Sequence, residues 1–245
     1  MRLIQRILVS ISFAITMSTP VHALTLGVEV TNYAPYFYLN DEQKYQGAAR
    51  EIFDLFSEIS QIKIAYVPMP VPRLFNEFVK GSIALKFPDN PLWSASLSST
   101  VKVHYSEPVL NITESLLVLK QDKPEVAKEN IKTVGTILGF STPGIAMPVA
   151  NHEFKTIKTK KVEQLIHMLV SERVQGVYFN KNVAQNLITK MYPKKSLVRH
   201  SQYPPFQYAY HLSSIKHPKL IEKFNAFLIS HAKELDIIRS RYGLK

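Results

Sequence analysis

Between residues 25 and 242 the chain alternates short apolar strand patterns with amphipathic helical ones, a rhythm that restricts it to α/β layer architectures. Residues 25–30 alternate as a strand, and across residues 48–59 Ile52, Phe53, Leu55, Phe56 and Ile59 share one helical face. Residues 62–67 repeat the strand pattern and stop at Pro68, Pro70 and Pro72. Residues 74–79 read as a short helix closed by Gly81, a residue type suited to a left-handed C-cap. An apolar run follows at 83–87, then a polar loop at 88–100 and a short apolar run at 101–103. Successive βα units of this kind favour largely parallel strands.

The rhythm changes after Pro108. Residues 113–120 form a longer strand pattern, followed by a charged loop at 121–130. A strand at 132–137 runs into Gly139, Phe140, Ser141, Thr142, Pro143 and Gly144. Helical patterns at 161–170 and 182–190 flank a strand at 176–179. Pro204 and Pro205 lead to a strand at 207–212, and two helices close the chain, one from Pro218 and one over 232–242. The long strands near positions 115 and 208 interrupt the βα rhythm, which predicts two α/β lobes joined by two crossovers.

The N-terminus reads as an export signal. Arg2 and Arg6 precede an apolar stretch at 7–17, Pro20 breaks it, and Val21-His22-Ala23 supplies small residues for cleavage near Ala23. The apolar stretch is short for a membrane span, and no cysteine follows that could carry a lipid. The roughly 220 residues after the signal suffice for a sizeable core without disulfides. The chain has no cysteine, which excludes thiolate catalysis and zinc–thiolate sites. Without Arg2 and Arg6, 28 basic residues face 19 acidic ones, a net +9. Much of the excess lies in 151–200, including Lys155, Lys158, Lys160 and Lys161. No aromatic residues interleave with these lysines as nucleic-acid recognition requires, so a solvated basic face is expected.

Candidate functional residues gather after the first strand. Tyr33, Tyr36, Phe37 and Tyr38 crowd a turn containing Pro35, and Gly47 then opens a helix. Aromatic side chains massed at a strand end are common in small-molecule clefts. Ser141 and Thr142 lie where a strand meets a helix start. Hydroxyls and free N–H groups there suit an anion or serve as a plain N-cap.

The order of these strings resembles extracellular solute-binding proteins of family 3, the polar amino-acid-binding type of ABC importers. Tyr33-Ala34-Pro35-Tyr36 resembles that family's Tyr-x-Pro-Phe turn, and Gly47 the glycine before its first helix. Leu74 to Gly81 is similar to its second helix, and Tyr105-Ser106-Glu107-Pro108-Val109 to its Phe-Ser-x-Pro-Tyr string. Val134-Gly135 with Gly139-Phe140-Ser141-Thr142 resembles its Val-Gly…Gly-Ser-Thr segment, and residues 220–243 its closing helices. The resemblance implies a two-lobed type II periplasmic-binding-protein fold, with lobe 1 at 24–111 plus 205–245 and lobe 2 at 112–204. It implies hinge closure on a ligand, Tyr33 stacking on that ligand, and Tyr36 nearby. It also implies a periplasmic, monomeric, non-catalytic protein without cofactor or metal, serving an ABC permease or alternatively a membrane sensor.

Departures from the family pattern concern the ligand. Residues 93–103 hold no arginine to grip an α-carboxylate, and neutral Gln175 stands where an acid is expected for an α-ammonium. Arg73, Lys86 and Trp93 are the expected replacements, which suggests an anionic or aromatic polar ligand rather than a standard amino acid. A dehydratase-like enzyme on the same fold is the catalytic alternative. The scattered histidines and the carboxylates Glu29, Asp41, Asp89 and Glu107 form no recognised catalytic motif.

Overall fold

The computed structural model describes residues 23–93, 101–120 and 131–244. The expected export signal, Ala23 apart, and the charged loop at 121–130 lie outside them, as do residues 94–100 of the polar loop. Strand β1 (Leu24–Glu29) buries its last four residues. A short hairpin, β2 (Tyr38–Leu39) with β3 (Tyr45–Gln46), leads to α1 (Ala48–Ser60). Gly47 joins them with φ 106°, and a Cβ there would stand 2.7 Å from the Tyr36 carbonyl oxygen, so only glycine fits. β4 (Ile64–Met69) pairs parallel to β1. Helix α2 (Val71–Lys80) begins earlier than the apolar pattern predicts because Pro72 falls in its first turn, where a missing N–H is harmless. It ends on Gly81 at φ 73°, the expected left-handed cap. β5 (Leu85–Asp89) flanks β1 on the other side and is buried throughout.

β6 (His104–Tyr105) and the long β7 (Leu110–Leu119) follow. The second lobe adds β8 (Thr133–Ile137), α3 (Ala146–Ala150), β9 (Lys155–Thr159), α4 (Val162–Val170), β10 (Gly176–Asn180), α5 (Lys181–Met191) and β11 (Leu197–Arg199). β12 (Phe206–Ser214) returns to the first lobe, where α6 (Pro218–Ser230) and α7 (Ala232–Arg241) complete the chain. The strand order is β4-β1-β5-β12-β7-β10-β8-β9, with β6 beside β12 and β11 beside β7.

β7 and β12 are the two crossovers expected from the sequence. They pair antiparallel over Leu110–Glu114 and Phe206–Tyr210, and β12 then pairs with β5 in the first lobe. Within each lobe the strands are parallel, β4-β1-β5 in one and β10-β8-β9 in the other. β9 escapes sequence reading because Lys155-Thr-Ile-Lys-Thr has a single apolar residue; it is an edge strand whose exposed lysines block further pairing.

The core follows the helical faces read from sequence. Phe53 and Phe56 of α1 meet Phe224 and Phe227 of α6 at ring distances of 5.0–5.7 Å. In the second lobe Leu165, Ile166, Val183 and Ile188 are fully buried. Among the described residues no helix is long and apolar enough to cross a membrane.

Candidate functional site

Parallel strands carry their C-terminal ends toward the gap between the lobes, the position at which open α/β sheets bind ligands. A cavity of about 580 Å³ lies there. The first lobe supplies Glu29 from β1, Lys86 and Pro88 from β5, residues of the first turns of α2, and Leu92 and Trp93. The crossovers supply Glu114, Tyr208 and Tyr210, and the second lobe Gly139, Phe140, Ser141 and Lys158. Gly139 turns the chain out of β8 at φ 89°, which swings Phe140 into the cavity wall.

Two carboxylates dominate the electrostatics. Glu29 is 5% exposed and Glu114 is 3% exposed; Glu29 Oε1 has no hydrogen-bond partner, and Glu114 Oε2 has no well-formed one, with only the Tyr178 hydroxyl near enough to act on the carboxyl besides Tyr208. Burial pushes the Glu29 carboxyl up to about 7, against the pull of the Thr31 hydroxyl and the Lys86 charge. Burial likewise lifts Glu114 to about 7, opposed by the Tyr208 and Tyr178 hydroxyls. The Tyr208 hydroxyl donates to Glu114 Oε1 at 2.8 Å.

Lys86 is the buried cation of the wall, and its charge is already answered. Its ammonium lies 2.8 Å from Asp89, which is fully buried and also accepts from the Ser213 hydroxyl at 2.5 Å. Phe75 and Phe78 stand 5.4 Å from the ammonium on the helix side. The pair therefore adds little net charge to the cavity, whereas the two glutamates add up to two negative charges.

A raised carboxylate has a definite stability signature. The folded protein keeps protons on Glu29 and Glu114 that the unfolded chain releases above about pH 4.5. Ligand-free stability therefore falls as pH rises from about 4.5 to about 7, by up to about 3 kcal/mol per group. Glu29→Gln and Glu114→Gln should each be more stable than the parent at pH 8 and about equal to it at pH 5. Urea denaturation at the two pH values measures this. Parallel pH profiles for parent and variants would contradict it.

Of the residues singled out from sequence, Lys86, Trp93 and Ser141 line the cavity. Trp93 packs edge-on to Tyr208 and Tyr210 at 6.1 and 5.7 Å. Tyr33 does not line it. The turn folds back through the Tyr33–Phe37 bridge and drives the ring into the core, where it stacks on Phe37 at 5.2 Å and meets Phe179 edge-on at 5.2 Å. Tyr36 is also buried, and its hydroxyl accepts from Asn180 Nδ2 at 3.2 Å. Arg73 is exposed on α2, outside the lining that its neighbours Pro72 and Leu74 provide. Thr142 precedes the short helical turn at Pro143–Ile145 without a side-chain capping bond and outside the lining. Gln175 stands at the wrong end of β10: it is exposed, and its side chain accepts from the Thr133 N–H at 2.9 Å, where β8 begins.

Glu114, Tyr208 and Tyr210 were not anticipated, yet each leaves a trace. Glu114 is the one charged residue of β7, and Phe206, Tyr208 and Tyr210 repeat at the two-residue period of one strand face.

No protein-family model matches the chain, and no curated protein sequence matches it. Its fold does match solved structures. An ancestral amino acid-binding protein, AncCDT-1, described as a precursor of cyclohexadienyl dehydratase, superposes with a TM-score of 0.71 at 16% identity, covering 90% of this chain and 94% of that one. A Silicibacter pomeroyi periplasmic His/Glu/Gln/Arg/opine family-binding protein in complex with lysine gives 0.71 at 13% identity, covering 90% and 96%. The periplasmic VFT2 domain of Bordetella pertussis BvgS gives 0.70 at 16% identity, covering 90% and 93%. At these identities the likeness establishes architecture: the chain has the two-lobed type II periplasmic binding fold. The fold expected from the sequence resemblance is the fold observed.

Proposed function

We propose that this is an exported solute-binding protein of family 3 type that closes its lobes, residues 24–111 plus 205–245 and 112–204, on a small polar molecule and delivers it to an ABC permease. The observation that carries the reading is the cavity of about 580 Å³ between the strand ends, walled by aromatic rings and holding two buried carboxylates whose hydrogen bonding from within the chain is incomplete. Burying such a group without a partner is costly, so a donor from outside the chain is the economical explanation. The walls favour the aromatic half of the sequence expectation over the anionic half. Arg73 is outside the lining, Lys86 is engaged by Asp89, and an anion would meet Glu29 and Glu114.

The proposed hinge is the crossover pair, since among the described residues β7 and β12 carry the sheet from one lobe to the other. A thermal-shift screen of small polar metabolites at pH 8 tests the reading. A ligand at 100 times its Kd stabilises by about 2.7 kcal/mol, and Trp93→Ala should weaken that response. A panel without a single responding compound overturns it. Two carboxylates raised toward neutrality also favour, as a second reading, proton-transfer chemistry. Recovery of the ligand unchanged after prolonged incubation decides for capture, and conversion decides for catalysis. Uptake lost on deletion of the gene assigns import, while intact uptake with a lost cellular response assigns sensing.

A further inference from the structure

Glu29 and Glu114 enter the cavity from different strands. Between β1 and β7 lie β5 and β12, so the two backbones are three strand spacings apart, roughly 14 Å. Strand side chains stand roughly perpendicular to their sheet, so the carboxylates keep much of that separation. One small ammonium reaches acceptors within about 3 Å on each side and cannot serve both. Each carboxylate needs its own donor: Glu29 Oε1 has none, and Glu114 Oε2 has only the nearby Tyr178 hydroxyl, which also accepts from the Gly144 N–H.

The wall between them is largely apolar, with Lys86 of β5 its buried cation. Leu74, Phe75, Trp93, Phe140 and Tyr210 form its sides, surfaces that pack against methylene groups and accept cations over their ring faces. Among the described residues of the wall, no buried cation is free to receive a carboxylate. The Lys86 ammonium is held 2.8 Å from Asp89, and the remaining cation of the lining, Lys158, is exposed.

We propose that the ligand is an organic dication of the diamine class: an aliphatic chain with an ammonium or guanidinium at each end and no carboxylate. One cationic end meets Glu29, the other meets Glu114 beside Tyr208, and the chain lies among the aromatic rings. Two positive charges then balance two negative ones, while the Lys86–Asp89 pair in the wall stays neutral. This inference rests on reading the cavity as a ligand site and goes further by naming the ligand class.

The discriminating probes are pairs that differ only by a carboxylate: cadaverine against lysine, and agmatine against arginine, with pentylamine as a single-ended control. Calorimetric titration of the protein at pH 8 should show each diamine binding at least tenfold tighter than its amino acid, and cadaverine at least tenfold tighter than pentylamine. Glu29→Gln and Glu114→Gln should each weaken the preferred diamine at least tenfold. If one variant does not fold, the parent's own titration from pH 8 to pH 6 replaces it, because protonating the carboxylates must weaken the same ligand. Lysine or arginine binding as tightly as its decarboxylated counterpart overturns the diamine assignment, as does tight binding of succinate. Diamine binding that is indifferent to both variants and to pH overturns it too. In those cases the capture reading stands, whereas silence from every compound of the metabolite panel removes both.

Discussion

Asp89→Ala should cost about 3 kcal/mol of stability at pH 8, the lower end of what breaking a buried ion pair removes. Asp89 is 0% exposed and Lys86 is 5% exposed, so the substitution leaves an ammonium in the interior without its 2.8 Å partner. It also strands the Ser213 hydroxyl and the Asn90 N–H, both of which donate to the Asp89 carboxylate. The loss stays at the lower end because Glu29 is close enough for Lys86 to pull on its titration, and it becomes the substitute counter-ion. A sign reversal follows. Glu29→Gln stabilises the parent at pH 8 by removing a buried charge, but in the Asp89→Ala background it removes the last counter-charge and destabilises. The double-mutant cycle, read by urea denaturation, should give a coupling of more than 1 kcal/mol. Additivity would mean that Lys86 and Glu29 do not share a field. Replacing both members of the pair, Lys86→Met with Asp89→Leu, should cost less than Asp89→Ala alone, since no buried charge is orphaned.

The same pair illustrates what a sequence can disclose. The strands and helices were legible because their apolar residues recur at the right periods: Ile52, Phe53 and Phe56 mark the buried face of α1, and Gly81 marks the end of α2. The crossovers were legible as long strands out of rhythm. Lys86 and Trp93, which line the cavity, stand out in the sequence because a charge or a lone tryptophan at a strand end is conspicuous. The counter-ion does not, since which carboxylate meets Lys86 depends on how β5 bends toward β12. Glu114 escapes for a related reason: an acid within a strand reads as its solvent face, and only the packing of the crossover aromatics such as Tyr208 over it shows that this face is buried. Gln175 stands out by its place in a string, but it lies just before β10, where its side chain accepts from the Thr133 N–H at the start of β8, outside the cavity lining.

Tyr33→Ala should destabilise the protein by about 3–5 kcal/mol, the usual range for deleting a buried aromatic ring. Tyr33→Phe should cost little, because the hydroxyl is buried without a well-formed hydrogen bond. The ring is fully buried and joins the two lobes. Phe37 and Tyr36 surround it from the first, Phe140 and Phe179 from the second, and Tyr210 from the crossover. Two of these neighbours, Phe140 and Tyr210, are themselves walls of the cavity. Tyr33 thus acts on the site from behind: removing it takes away part of the packing behind both rings while leaving the identity of every lining residue unchanged. Ligand affinity should therefore fall in Tyr33→Ala and remain near the parent's in Tyr33→Phe. Had Tyr33 touched the ligand with its hydroxyl, the phenylalanine variant would bind distinctly worse at unchanged stability. Measuring Kd and unfolding free energy on both variants separates the two roles, and a stable Tyr33→Ala protein with a full loss of binding would place the ring in the cavity after all.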